Sequence, residues 1–241
     1  MTVVERVEPQ AGAMSLTGHL AELRNRILWS LLAIGVGGSI GFAWGGPIIE
    51  LLRSALPADV KLIQLELGDG FGIRIQIAFV VGVILGMPVI LWHVWRFIAP
   101  GLTAAERRAV LPWIPMALAF FALGVGIAYV ILPFAAQFLL SFVPEGVERT
   151  INFRSYLEFL STLFLAFGVL MEFPILLVGL SRVGIVTSDR LRRSRRVVIL
   201  GIAIFAAVAT PGGDLVSPFV LGVTLYVLFE GTILFIRRTG R

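Results

Sequence analysis

The chain has 241 residues, 58% of them hydrophobic and only 15% charged, with a formal net charge of +5 and a mean hydropathy of +0.94. Soluble domains are roughly 45–50% apolar, so the composition excludes an ordinary soluble domain and reads as a polytopic helical membrane protein, while the ~10-residue alternating segments of a β-barrel are absent. There is no cysteine, and His19 and His93 are the only histidines, so disulfides and thiol chemistry are excluded, a histidine metal centre is disfavoured, and no cofactor is called for.

Residues 1–14 read as a polar, mobile cytoplasmic tail without the apolar stretch and cleavage site of a secretory signal. Residues 15–26 read as an amphipathic helix lying on the membrane. Leu16, Leu20, Leu23 and Ile27 recur on one face, while His19, Glu22 and Arg26 share another, with Glu22 and Arg26 at ion-pair spacing. Apolar runs of spanning length follow at 27–44, 73–97, 111–132 and 158–180, then a shorter run at 197–210 and a last one at 215–236. That predicts an all-α membrane protein with six transmembrane helices. Residues 15–236 form a single membrane domain, and 237–241 a basic cytoplasmic C-terminus. The 45–72 connection opens on Pro47 and carries Ile48, Ile49, Leu51, Leu52 and Leu56, the pattern of a short amphipathic helix. Pro144-Glu145-Gly146 and Pro211-Gly212-Gly213-Asp214 are turn signals. Arg196 and Pro211 bracket the fifth run at 14 residues, or ~21 Å of helix against a ~30 Å hydrocarbon core. Either the bilayer thins around it, polar flanks snorkel, or the helix runs past these bounds.

Charge sets the orientation. Fifteen of the twenty Lys and Arg fall on the N-terminal segment, the second-to-third and fourth-to-fifth connections and the C-terminus. By the positive-inside rule that side is cytoplasmic, which makes the topology N-in and C-in. Trp29, Trp44, Trp92, Trp95 and Trp113 all fall near span ends, where an indole sits best.

Three carboxylates stand out. A solvated helix face is the plainer reading for the arginines here, but Glu22 opposes the topological charge signal beside the first span, so another role should retain it. Glu106 follows Thr103 at capping-box spacing, so it serves as a helix start and also as an exposed cytoplasmic carboxylate. A carboxylate accepts a guanidinium in a bidentate fork that lysine cannot reproduce, so two of them suit a ligand with adjacent arginines. Glu172 lies inside the fourth span, and an intramembrane carboxylate normally faces a partner or a wet cavity. Pro174 just after it frees a backbone carbonyl near Leu170, so a protonated Glu172 capping that carbonyl is the alternative. A hollow shared with the short fifth span is the expected surrounding of Glu172. Glu230 invites a weaker version of the same argument. Gly37-x-x-x-Gly41 and Gly82-x-x-x-Gly86 predict close helix packing within the chain. There is no nucleotide fingerprint, no nucleic-acid motif and no catalytic constellation, so the chain reads as a non-enzyme.

These residues occur in runs that resemble the TatC family, the multi-spanning receptor of twin-arginine protein translocation. The runs are His19-Leu20-x-Glu22-Leu23-Arg24-x-Arg26, Pro88…Trp95-x-Phe97-x-x-Pro100-Gly101-Leu102-x-x-x-Glu106-Arg107, and Phe167-Gly168-x-x-x-Glu172-x-Pro174. Thr210-Pro211-x-x-Asp214-x-x-Ser217 and Tyr226-x-x-Phe229-Glu230 complete the series. The chain departs from the family pattern at Pro218, where a glutamine is usual, and by an extra glycine before Asp214. The resemblance implies a concave, glove-shaped bundle with short fifth and sixth spans in the bacterial inner membrane. It implies that Glu22, Arg24, Phe97 and Glu106 bind the Arg-Arg signal peptides of folded cargo. Glu172 is implied to contact single-span TatB-like and TatA-like partners, at the opposite end from the peptide site, and Asp214 to mark an outer-turn site. A homo-oligomeric complex in membrane lipid, driven by the proton motive force without nucleotide, is also implied. The alternative from a different class is a proton-coupled small-solute transporter with Glu172 as its relay. Such transporters often show repeated halves, and no repeat is visible here.

Overall fold

The computed structural model describes residues 16–144, 146–182, 184–209 and 215–238, and the expected tail at 1–14 and the turn at Asp214 lie outside the described residues. The bundle is built from α1 (Leu16–Ala43), α3 (Asp69–Ile98), α5 (Trp113–Leu140), α6 (Phe153–Leu170), α7 (Phe173–Arg182), α9 (Arg195–Ala209) and α10 (Val216–Arg238). The shorter helices α2 (Gly45–Arg53), α4 (Ala104–Val110) and α8 (Ser188–Arg193) lie in the connections. Five helical stretches are long and apolar enough to cross a membrane: Thr17–Ala43, Asp69–Gly101, Ala104–Leu140, Phe153–Arg182 and Val216–Arg238. A further apolar helix in the position of the fifth run, α9, has 15 described residues, about 22 Å of helix. Val197, Leu200, Ile204 and Val208 lie exposed along it, as a lipid-facing surface requires.

The first span corrects an expectation. Residues 15–26 do not form a separate helix on the membrane surface: α1 runs unbroken for 28 residues. No glycine or proline interrupts residues 19–34, so nothing separates the polar turns from the apolar ones. Glu22 and Arg26 therefore occupy the opening turns of the span itself.

The two small-residue motifs meet. Gly37, Gly38 and Gly41 of α1 lie against Ala78, Val81 and Gly82 of α3, and a Cβ built on Gly82 would stand 2.4 Å from the Ile34 carbonyl oxygen. Apolar helices gain no hydrophobic energy by associating in lipid. They gain dispersion contacts by close approach, and small residues permit it. The same device joins α5 to α6, where a Cβ on Gly124 would stand 2.4 Å from the Phe167 carbonyl. Phe121, Leu132, Leu160, Leu163, Phe167, Leu221 and Phe229 fill the centre between α5, α6 and α10.

The fourth span breaks where Pro174 demands it. Pro174 has no N–H to give the Leu170 carbonyl, and α6 ends at Leu170 with α7 beginning at Phe173. Met171 donates to Phe167 (3.2 Å) and Leu176 to Glu172 (3.0 Å), so the chain rejoins the helix within one turn.

The 45–72 and 133–157 connections are stitched together by a feature that the sequence alone does not reveal. Strands β1 (Lys61–Ile63) and β2 (Thr150–Asn152) pair in parallel. Three residues are too few to show an alternating pattern. Lys61 pairs with Glu148, and Arg149 with Asp59 at 2.9 Å. Below them Asp69, 2% exposed, accepts from the backbone of Leu65 (3.1 Å) and Glu66 (3.0 Å), with Arg154 at 3.7 Å.

Candidate functional site

The seam between α1 and α3 brings the start of the first helix beside the end of the third. The His19 ring stacks on Phe97 with centroids 4.3 Å apart and planes 13° from parallel. Two runs about eighty residues apart in sequence thereby become one surface. Trp95 stacks with Trp92 at 5.6 Å and carries the Arg107 guanidinium over its ring at 5.3 Å, an attraction between cation and ring face. This ties α4 back onto the end of α3.

Both surface carboxylates sit on these elements. Glu22 receives Arg26 in an ion pair, and His19 Nδ1 lies 4.0 Å away. Glu106 closes a capping box: its backbone N–H donates to Thr103 Oγ1 (3.4 Å), and its Oε2 accepts from Thr103 N–H (2.9 Å) and Oγ1–H (2.8 Å). The cap lies on the helix that follows the Pro100-Gly101 turn. Arg24 is exposed and makes no ion pair among the described residues. The structure thus brings Glu22, Phe97 and His19 together and sets Glu106 on the adjoining loop helix. Asp214 lies outside the described residues.

Glu172 lines a groove of about 460 Å³ together with Trp95, Ile98, Leu102, Ile114, Ala117 and Ile175. Its Oε1 is buried with no hydrogen-bond partner among the described residues. No hydrogen bond from Glu172 Oε1 to the carbonyl freed by Pro174 is present among the described residues. Two expectations need correcting. The walls of the groove come from α3, the α4–α5 segment and α7, and no lining residue belongs to α9. The groove also reaches Leu102, in the turn before the helix that carries Glu106, so Glu172 and this loop share one cavity rather than lying at opposite ends. Residues of α7, which starts after the α6–α7 break, line this groove together with the end of α3. Glu230 has a partner: Arg195 at the head of α9 donates to it at 2.6 Å.

Sequence reasoning missed Asp69, Arg154 and Arg195. An aspartate in the first turn of a span was a readable sign for Asp69. Nothing local links Arg154 or Arg195 to partners so far along the chain.

The fold and this surface define a class: an all-helical, multi-spanning membrane protein with its polar groups gathered where α1, α3 and α4 meet. A family model described as "Sec-independent protein translocase protein (TatC)" matches residues 18–223. The TatC protein of Listeria innocua is 39% identical over 221 residues, covering 90% of this chain and 89% of the relative. That of Escherichia coli K12 is 36% identical over 227 residues, covering 92% and 88%. The crystal structure of the twin arginine translocase receptor TatC matches with a TM-score of 0.80 at 32% identity, covering 90% of this chain and 99% of that one. The chain belongs to the TatC family of Sec-independent protein translocase proteins.

Proposed function

We propose that this protein is the receptor of its translocase: it binds Arg-Arg signal peptides of folded cargo at the cytoplasmic face through Glu22, Arg24, Phe97 and Glu106. The stacking of His19 on Phe97 carries this reading, because it draws the Glu22 helix and the Glu106 loop into one surface with two carboxylates. Each carboxylate suits one guanidinium of an arginine pair. Aromatic rings between them suit the apolar part of such a peptide.

Both termini lie in the cytoplasm, and the membrane is the bacterial inner membrane. Glu172 and its groove receive the transmembrane helix of a single-span TatB-like or TatA-like partner, and the assembly is homo-oligomeric. Asp214 marks an outer-turn site. The protein binds and organises rather than catalyses, and the proton motive force drives export. The unpartnered Oε1 in a cavity supports the Glu172 role, since a carboxylate at that depth needs a partner or water.

Photocrosslinking tests the reading. Probes at positions 22 and 106 should capture a signal peptide with an Arg-Arg pair and fail with its Lys-Lys version. Capture from exposed α9 positions such as 204, with none from 22 and 106, would place the peptide elsewhere.

A further inference from the structure

Glu22 is not free to receive a ligand. Arg26, one turn deeper on the same helix, already holds one oxygen of its carboxylate. Both side chains are only 17% exposed, so this is no fully solvated surface pair. The contact is also incomplete. Glu22 Oε2 and Arg26 Nε are buried without hydrogen-bond partners among the described residues, and the His19 Nδ1 lies 4.0 Å from Oε2. A guanidinium tethered four residues away reaches the carboxylate at one point and does not close the two-bond fork that arginine and carboxylate prefer. Unmade hydrogen bonds on buried charged atoms are costly.

We propose that Arg26 is an internal stand-in for the ligand's arginine, and that an arginine-pair peptide takes Glu22 by exchange. The inference rests on the receptor reading above. In the resting protein Arg26 keeps the carboxylate occupied and closed to weak cations. An incoming guanidinium, free of the helix tether, can take both oxygens and so gains a bond that Arg26 does not make. An ammonium offers no fork, so it gains nothing over Arg26 and is left out. Arg26 thus sets the threshold that a ligand must exceed, and it acts through Glu22 rather than on the peptide.

The test is a double-mutant cycle on the full-length protein in nanodiscs, using labelled peptides with an Arg-Arg or a Lys-Lys pair ahead of one apolar segment. R26Q should tighten Arg-Arg binding about three- to tenfold, the range between a weak exposed pair and a hydrogen bond to a buried charge. It should also bring the Lys-Lys peptide into the measurable range. R26K, which keeps the charge but replaces the guanidinium with a shorter-reaching ammonium, should give a smaller gain and serves if R26Q fails to fold. In the E22Q background R26Q should give no gain, whereas simple relief of repulsion between arginines would persist there. Weaker Arg-Arg binding in R26Q, or a gain that survives E22Q, overturns the exchange while leaving the receptor reading intact. Unchanged affinity in E22Q alone overturns both.

Discussion

Gly82→Ala probes the seam that assembles the site. The added Cβ would stand 2.4 Å from the Ile34 carbonyl oxygen and 3.0 Å from the Gly38 nitrogen, where separations under 3.0 Å are essentially never found. The obstacle is helix backbone, so no rotamer change relieves it. α1 must retreat by at least about 0.6 Å. Overpacking of this kind costs about 1–3 kcal/mol, and a gap of 0.5–1 Å forfeits roughly a quarter to a half of each contact well along the seam. Alanine's helix preference over glycine returns up to about 1 kcal/mol. Gly35→Ala is the matched control, because it carries the same propensity gain and its Cβ meets nothing within 4 Å. The difference between the two variants is therefore the clash alone, about 1–3 kcal/mol against Gly82→Ala. Thermal melting of the purified proteins in one detergent reads it, and loss of Arg-Arg peptide binding should accompany it as His19 shifts off Phe97. Equal melting temperatures for the two variants would refute the close-contact seam.

Removing the buried clamp with Asp69→Ala should cost about 2–4 kcal/mol, since two backbone donors lose their acceptor and Arg154 loses a neighbouring charge. Asp69→Asn, which keeps one acceptor oxygen, should cost less in the same melt. The Lys61 hydrogen bond and charge hold the Glu148 carboxyl below its ordinary 4.5, while Glu148 holds the Lys61 ammonium above 10.5. The carboxylate's contribution is therefore full above 4.5 and lost as pH falls through the lowered value; the lysine's is full below 10.5 and lost as pH rises through the raised one. Limited proteolysis of the outer connections should accordingly be flat between those limits, and faster cleavage on approaching neutral pH would contradict the pairing. Reporter fusions should be outside at Asp59 and inside at Ala104 and Asp189, and an inside signal at Asp59 would invert the topology.

What could be read in the sequence was local in the chain. The spans, the short fifth run, the Thr103–Glu106 capping box, the break before Pro174 and the Glu22–Arg26 spacing each depend on residues within a turn or two. The small-residue motifs on α1 and α3 also foretold close internal packing, because little else explains glycines four apart in a span. Pairings between distant segments left no such mark. Lys61–Glu148, Arg195–Glu230 and the strand pair join stretches whose proximity follows only from the assembled bundle. The continuity of α1 was misread because a change from polar to apolar residues resembles a boundary, although no residue there ends a helix. Glu172 was set beside the wrong neighbour for the same kind of reason. The depth of Glu172 could be counted along the span, but which helices line its groove depended on the assembled bundle.

The most direct test of the receptor account is the affinity of an Arg-Arg signal peptide for the E22Q/E106Q double variant. Glutamine keeps an oxygen that can still cap Thr103 N–H, so α4 stays in place while the two charges are removed. One hydrogen bond to a charged group is worth ~1.5–3 kcal/mol, so each lost carboxylate should weaken binding by roughly 10–150-fold. The account predicts at least the lower of those losses, with unchanged melting and membrane insertion. Wild-type affinity in the double variant would contradict it.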